Sequence, residues 1–456
     1  MFEYKFIDYF CHKKKFLLLT IVFILTRFII FIIGIRPNMQ FGYWQTLDPT
    51  LLKYDLINSL FYLHSEPVLW NLLLGIGLKL SPNNLDWFFF LFQIFLSYIS
   101  LYYFYLILKI IQFPKKFFLL ILIFFILSPN IIYYENWIFY SHLCFFLFFQ
   151  ISYFFLKYFE YYDFRYQVYI YISLLLLTLT WKLFHPTLFL LFFLFFLFYS
   201  KKVNIKKFFS IFFLFFSLSL LPLIKNKIAL GFFVNGSLLG LNLAQTTQPF
   251  LIHDFIDSNN KKIVCDFKSL EENEEDFFNY FNKERSKLNH PSITGNKSGM
   301  NNVGGIYRSK KCLSIVIRNI LDNPETYFRS RIYNLVLSHS KLAIDHGFAP
   351  IGWNDLFPIK ELKKNIKTKY FMGFFTMSYI FFIYIYLVYY IFFSKELLKI
   401  KKPLCAIFFF YFYLVIIGHA VNGWEQERFL YTGFIVQLLA IALLIKQIIN
   451  ERVKGG

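Results

Sequence analysis

The stretch YWQTLDPTLLKYDLINSLFYLHSEPVLWN, residues 43–71, decides the fold, because it is the first polar segment after a long apolar run. Asp48 followed by Pro49 predicts a helix start, since Asp is a favoured N-cap and Pro suits the first helical position. Apolar residues then recur at helical spacing, at Leu52, Leu56, Leu60 and Leu63. The remaining face is too polar to span a bilayer, so the pattern predicts an amphipathic helix on the membrane surface.

A second helix start follows in the same stretch. Ser65 or Glu66 is the predicted N-cap, Pro67 the first helical residue, and residues 68–80 form a short apolar run. This run falls well short of the ~20 residues that a spanning helix needs. The sequence therefore predicts two interfacial helices, joined by residues 64–67, as the floor of an active site.

The composition is that of a polytopic membrane protein. Hydrophobic residues make up 57% of the chain and aromatic residues 23%, and the apolar residues fall in repeated runs of spanning length. A formal net charge of +20 would suggest nucleic-acid binding in a soluble protein. Here the Lys and Arg residues lie between the apolar runs, which favours roles in topology and in contacts with anionic lipid head groups. We therefore expect membrane lipids as partners and no nucleic acid.

The basic clusters predict the orientation, because loops rich in Lys and Arg stay in the cytoplasm. These clusters lie at residues 13–15, 109–116, 157–165, 201–207, 395–402 and 446–456. About ten spans satisfy the alternation, near residues 16–35, 86–110, 117–132, 137–157, 168–184, 186–200, 208–224, 370–394, 403–420 and 429–446. Both termini are then cytoplasmic. Counting 68–80 as a further span would place the later clusters outside, so the charge pattern also favours a surface helix there.

This topology divides the chain into three regions. Residues 1–224 form a transmembrane module whose first external loop, residues 36–85, carries the expected catalytic groups. Residues 225–369 form a large extracytoplasmic loop, and residues 370–456 hold the C-terminal spans. We expect a multi-pass protein of the plasma or inner membrane with its active site on the extracytoplasmic face.

The long loop carries its own local signals. Residues 271–287 are charged and predict a helix, whereas residues 290–305 predict a mobile Gly/Asn-rich connection. Asn323 followed by Pro324 predicts a helix that continues to about residue 339. Cys265 and Cys312 share this loop, and the sequence leaves open whether they form a disulfide.

Three acids are candidates for chemistry or for substrate binding. Asp48 could act as an N-cap, as a catalytic carboxylate or as both, because a cap fixes the direction of the carboxylate. Asp55 lies at the edge of the leucine stripe, where a solvated residue is the favoured alternative to substrate binding. Glu135 lies among aromatic residues where a span emerges, so it needs a partner or a proton, and a catalytic role is slightly favoured.

The basic candidates are assigned to substrate binding. His64 and Glu66 could together bind a divalent metal, but one His and one acid two residues apart favour a positioning role, so no cofactor is assigned and a metal stays open. Lys182 and His185 place positive charge where an anionic head group could bind, with interfacial snorkelling as the alternative. Arg428 begins a span from the outer side, against the positive-inside trend, which favours phosphate binding over neutralisation by neighbouring Glu.

This layout resembles the GT-C integral membrane glycosyltransferases, especially the protein O-mannosyltransferase and aminoarabinose transferase branch. Two similar features lie in the first loop, which forms two helices and carries an Asp, and in which a His-Pro-type motif opens the second helix. Two more lie at the ends of spans, where a Pro-x-acid motif follows the third span and a Glu-x-x-Arg type motif precedes the last. The family's Asp-Glu pair is here Asp48-Pro49, and its His-Pro-Pro-Leu motif is His64-Ser65-Glu66-Pro67-Val68. The resemblance covers residues 1–224 and the last span.

The resemblance implies transfer of a sugar from a polyprenyl phosphate carrier to a glycan, lipid or protein acceptor, with Asp48 as general base or acceptor binder. Inverting transfer needs such a base and cations that hold the departing phosphate, for which Lys182, His185 and Arg428 are candidates. One alternative is a polysaccharide polymerase or ligase of related fold, and another is a non-enzymatic transporter or flippase. A transporter should pair charges at mid-depth, where only Arg27 lies well inside a predicted span.

The topology can be tested with paired reporter fusions. A fusion at residue 297, in the long loop, should report the extracytoplasmic compartment, and a fusion within residues 201–207 the cytoplasm. Alkaline phosphatase and green fluorescent protein activities at each site measure the two compartments. The same compartment for both sites would contradict the topology.

Overall fold

The computed structural model describes residues 2–39, 45–199, 205–247, 265, 270–340, 401–421 and 427–455. Across these ranges the regular structure is helical and no strand occurs, which confirms the predicted all-α class. One isolated parallel bridge joins Asn38 to Trp137 and ties the start of the first loop to the chain ahead of a later apolar helix.

The helices in chain order are α1 (Phe2–Ile32), α2 (Pro49–Tyr54), α3 (Leu56–Phe61), α4 (Val68–Leu80), α5 (Leu85–Ile110), α6 (Phe118–Ile126), α7 (Pro129–Asn136), α8 (Ser141–Tyr161), α9 (Phe164–Thr180), α10 (Thr187–Tyr199), α11 (Ile205–Ser219), α12 (Leu221–Leu230), α13 (Leu239–Thr247), α14 (Glu274–Tyr280), α15 (Val303–Asp322), α16 (Pro324–Ser340), α17 (Lys401–Val421), α18 (Glu427–Thr432) and α19 (Phe434–Gly455). Short 3₁₀ turns lie at Leu270–Asn273, Arg285–Lys287 and Asn296–Asn301.

Several apolar helices are compatible with a membrane protein. Within the described residues, the segments long and apolar enough to cross a bilayer are Leu85–Ile110, Phe118–Asn136, Ser141–Tyr161 and Lys206–Leu230. Shorter apolar helices lie at Phe16–Ile32, Val68–Leu80, Phe164–Thr180, Thr187–Phe198, Lys402–Gly418 and Phe434–Asn450. The predicted span at 370–394 lies outside the described residues. The count of ten spans therefore stays a prediction.

The first loop begins as the sequence predicts and then departs from it. Asp48 is the N-cap of α2, and its side chain accepts from the backbone N–H groups of Thr50 and Leu51. The predicted continuous helix is broken at Asp55, which closes α2 and opens α3. The leucine stripe still faces inward on both pieces, and Leu52 is fully buried.

The second helix of the loop starts one residue later than predicted. Pro67 is the N-cap of α4 rather than its first residue, and neither Ser65 nor Glu66 caps the helix. Instead, the backbone N–H of Ser65 donates to Asn301, and the carboxylate of Glu66 pairs with Lys182. Once formed, α4 packs tightly on its neighbours, because a Cβ added at Gly75 would lie 2.3 Å from a Leu56 methyl carbon.

The long loop packs against the first loop. Residues 290–305 are not a mobile connection as predicted, because Ser292, Ser298 and Asn301 are buried and make hydrogen bonds. The predicted helix after Asn323 is confirmed as α16. A disulfide joins Cys265 to Cys312 on α15, which resolves the open cysteine question.

A buried ion pair links α1 to α7. Arg27 donates through Nε and Nη2 to the two carboxylate oxygens of Glu135, at 2.9 and 2.6 Å, and both side chains are buried. Arg27 Nη1 also donates to the carbonyl of Ile126, the last residue of α6, at 2.6 Å. The last carbonyls of a helix have no partner within the helix, so this bond satisfies one of them. The break follows from Pro129, which cannot continue α6 but suits the first position of α7.

Removing one partner of this pair should be costly. We expect Arg27→Met to lower the free energy of unfolding by about 3–5 kcal/mol, because it leaves the Glu135 carboxylate buried without its cation. The double variant Arg27→Met/Glu135→Met should recover most of that loss, since apolar side chains of similar size replace both charges. Unfolding experiments in detergent micelles measure the free energy of unfolding of the wild type, the single variant and the double variant.

The matched control is Arg165→Met, because Arg165 pairs with Asp163 on the exposed surface. Screening by water makes such a pair weak, so this variant should unfold much like the wild type. If Arg27→Met were as mild as the control, the buried pair would not stabilise the bundle.

Candidate functional site

The joint between α3 and α4, residues 64–67, is buried and held by the long loop. The side-chain oxygen of Asn301 accepts from the backbone N–H groups of His64 and Ser65, at 2.7 and 3.0 Å. Its amide nitrogen donates to two further carbonyls, at 3.2 and 2.7 Å. Asn301 thus supplies the partners that the buried backbone of the joint requires.

His64 is a buried, neutral member of this joint. Its Nδ1 lies 2.6 Å from Oγ of Ser237, which follows α12. Burial, together with the neighbouring positive charge of Lys225, lowers the pKa of His64 from 6.5 to about 3. The Lys225 ammonium itself donates to the carbonyls of Leu60 and Leu63 at the end of α3. This arrangement suits a histidine that positions the joint.

The carboxylate of Glu66 is buried under the joint and paired with a cation from another part of the chain. Lys182 Nζ, in the segment between α9 and α10, lies 2.7 Å from Glu66 Oε1, and it also donates to the carbonyl of Ser65 at 3.3 Å. Burial raises the pKa of Glu66, and the charges of Lys182 and Arg428 oppose that rise. The site therefore combines one buried carboxylate with two neighbouring cations.

Arg428 is only 1% exposed and is enclosed by aromatic rings. The centre of its guanidinium lies 4.5 Å from the ring centroid of Phe139, 4.9 Å from that of Tyr140 and 5.2 Å from that of Trp181. It donates to the Tyr140 hydroxyl, which in turn donates to Oε1 of Gln45 at 2.6 Å. The rings fix the plane of the guanidinium and tie it to the opening residues of the first loop.

The two aspartates of the first loop share no hydrogen bond or ion pair with Glu66, Lys182 or Arg428 in the described part of the chain. Asp48 Oδ1 accepts from the N–H of Thr50 at 2.8 Å, whereas Oδ2 makes no hydrogen bond within the described part of the chain. Asp55 accepts from His290 Nε2, at 2.8 Å, and the contact docks the long loop onto α3. No hydrogen bond or ion pair joins either aspartate to Glu66.

A cavity of about 370 Å³ opens beside Lys182. Its lining residues are Trp181, Lys182, Leu183, His185, Leu223, Phe233, Val234, Asn235, Gly236, Leu239, Asn242, Tyr413 and Ile417. Most of the wall is apolar or aromatic, and the lining also includes the cationic residue Lys182. His185 is half buried, and burial lowers its pKa. Such a space suits an amphiphile with an anionic end.

The structure thus brings together part of the predicted set of site residues. His64, Glu66 and Lys182 meet at the joint, with Arg428 close enough for its charge to act on Glu66. His185 lines the same cavity as Lys182. Asp48, Asp55 and Glu135 occupy other surroundings, and Glu135 is bound by Arg27. The structure also places at the site polar residues that no sequence pattern marks, which are Lys225, Asn235, Ser237 and Asn301.

Within the described residues, no group of three or more His, Cys, Asp or Glu side chains could hold a metal ion. Comparison with known proteins adds no assignment, because no family model, curated protein or solved structure matches this chain.

The buried His64 should make stability depend on pH. Between pH ~6.5 and ~3 the unfolded chain binds a proton that the folded chain excludes, so stability should fall as the pH falls. His64→Gln stays neutral, and its free energy of unfolding should fall less steeply, by up to about 1.4 kcal/mol per pH unit. Melting curves between pH ~4 and ~7 measure both slopes. Equal slopes would show that His64 is protonated in the folded protein.

Proposed function

We propose that this chain is a membrane glycosyltransferase that transfers a sugar from a polyprenyl phosphate carrier to an acceptor on the extracytoplasmic face. The observation that carries the proposal is the cluster of Glu66, Lys182 and Arg428 beside a largely apolar cavity. A lipid phosphate combines the two features that this arrangement accommodates, an anionic group and a long apolar chain. The resemblance of the first loop to GT-C enzymes supports the same function.

The cations account for the departure of the carrier phosphate. Arg428 offers a planar group whose direction is fixed by aromatic rings, one of which is Trp181 of the cavity wall, and Lys182 offers a point charge as a lining residue of the cavity. As the bond between the sugar and the phosphate oxygen breaks, negative charge grows on that oxygen. Cations already held in place stabilise this charge without reorganisation. Glu66 keeps Lys182 in position until the phosphate binds.

Asp48 is the proposed general base. The oxygen of an acceptor hydroxyl attacks the anomeric carbon, its proton moves to the Asp48 carboxylate, and polyprenyl phosphate leaves. Oδ1 of Asp48 accepts the hydrogen bonds of the helix cap, whereas Oδ2 makes none with the residues that the structure describes and is the proposed acceptor of that proton. Glu135 is held by Arg27 in a buried ion pair, so we assign it a structural role and not that of the base. The acceptor can be a glycan, a lipid or a protein.

One observation favours a transporter as the second candidate. The buried pair of Arg27 and Glu135 lies between helices of the apolar bundle, as expected of a charge pathway in a transporter. The pair is bidentate and the described cavity lies elsewhere, which fits a fixed structural contact better. The variant Arg27→Met/Glu135→Met separates the two functions, because a transporter should lose activity and the glycosyltransferase should retain it.

The base can be tested without disturbing the fold. Asp48→Asn keeps the helix cap, because Asn caps about as well as Asp, but it cannot take up the proton. We expect a melting temperature near that of wild type and a transfer rate lower by roughly 10²–10⁴-fold. The assay follows radiolabelled sugar from polyprenyl phosphate donors into acceptors, using purified protein in proteoliposomes.

Two further variants make the result decisive. Asp48→Ala should lose transfer and also about 1 kcal/mol of stability, since it removes the cap as well. Glu135→Gln tests the competing carboxylate. Full activity in Asp48→Asn, with none in a Glu135→Gln protein that melts near wild type, would move the base to Glu135. Full activity in both would contradict the glycosyltransferase proposal.

A further inference from the structure

The segment between α12 and α13, residues 234–237, forms one wall of the cavity and is held at both ends. At one end, Asn226 Nδ2 donates to the carbonyl of Val234 at 2.7 Å. At the other end, Ser237 bonds to His64 through its hydroxyl, and its backbone N–H donates to the His64 carbonyl at 3.1 Å. The position of Asn235 within this segment is therefore fixed relative to the joint.

This segment also touches the cation of the site. A Cβ added at Gly236 would lie 2.8 Å from Cδ of Lys182 and 3.5 Å from the carbonyl oxygen of Ser65. Glycine is needed at this approach, because any side chain would displace the stem of Lys182. Asn235 directly precedes Gly236, and successive Cα atoms are ~3.8 Å apart. If an anionic group binds at Lys182, Asn235 thus lies within a few ångströms of the substituent that this group carries.

Asn235 is unusual among the cavity residues because its amide has no hydrogen-bond partner in the described part of the chain. The residue is 6% exposed, and neither its side-chain nitrogen nor its oxygen makes a hydrogen bond to a described residue. A buried amide without partners costs about 1–3 kcal/mol, so such a group calls for an explanation. Both amide atoms are covered in this structure, so a rotation of the side chain about χ1 and χ2 is needed to bring them to a group that enters the cavity.

The chemistry of the missing partner follows from the amide. Asn offers two donors and an acceptor but no charge, so it suits a neutral group that both donates and accepts. A prenyl chain has no such group, and a phosphate has no neutral donor. A sugar bonded to the phosphate presents hydroxyl or acetamido groups at the required distance. The apolar wall remains for the prenyl chain.

We propose that Asn235 recognises the sugar of the lipid-linked donor and so contributes to the choice of donor. This inference rests on the proposed function, and it assigns the sugar, rather than the phosphate or the prenyl chain, to the wall formed by residues 234–237. Lys182 then holds the phosphate at the adjoining position.

Direct binding tests the inference apart from catalysis. The probes are farnesyl phosphate and its mannose, glucose and N-acetylglucosamine conjugates, measured with the purified full chain in nanodiscs. Wild type should bind at least one conjugate about tenfold more tightly than farnesyl phosphate, because the amide gains its hydrogen bonds. Asn235→Leu should remove that difference while binding farnesyl phosphate as before. Lys182→Met should weaken both kinds of probe.

Controls address folding. Asn279→Leu, on the exposed face of α14, should keep the wild-type preference. Asn235→Leu should melt no lower than wild type, since it replaces an unsatisfied amide by an apolar group. If it melts lower, Asn235→Ala provides the same comparison with a smaller side chain.

Each outcome decides between the claims. If Asn235→Leu and Asn235→Ala keep the preference, or if wild type binds all probes equally, the sugar is not recognised at Asn235, and the proposed function still stands on the phosphate. If wild type binds no probe, or binds them independently of Lys182, both the inference and the proposed function fail.

Discussion

The site depends on a buried carboxylate that has to be neutralised. Glu66 is almost fully buried at the joint between two short helices, where an isolated charge would be very costly. Lys182 meets it from the segment between α9 and α10, so the ion pair fixes the first loop against the apolar bundle. Lys182 is also a lining residue of the cavity. One contact therefore sets both the position of the loop and the charge of the proposed binding site.

The long loop acts as the second support of this arrangement. Asn301 takes up the backbone N–H groups of the joint, and the pair of His290 and Asp55 holds α3 from the same side. The disulfide of Cys265 fastens the chain ahead of α14 to α15. Because the residues next to the cavity are bound from two directions, the proposed site is preorganised, which is what stabilisation of developing charge requires.

Local signals in the sequence predicted the parts of the fold that depend on local physics. The cap at Asp48, the helix after Asn323 and the apolar helices follow from capping, proline geometry and hydrophobic runs. The break at Asp55 and the late start of α4 did not, because tertiary contacts decide them. Contacts such as that between Asn301 and His64 join residues too far apart in the chain for any local pattern to indicate.

The most direct test of the account is to find where a lipid phosphate binds. A farnesyl phosphate with a photoreactive diazirine beside the phosphate can be cross-linked to the protein in proteoliposomes and mapped by mass spectrometry. The account predicts labelled peptides that contain residues 181–185 and 233–242, and loss of the label when unmodified farnesyl phosphate is added in excess. Label confined to exposed apolar positions away from the cavity, such as Phe213 and Leu214 of α11, and insensitive to competition, would contradict it.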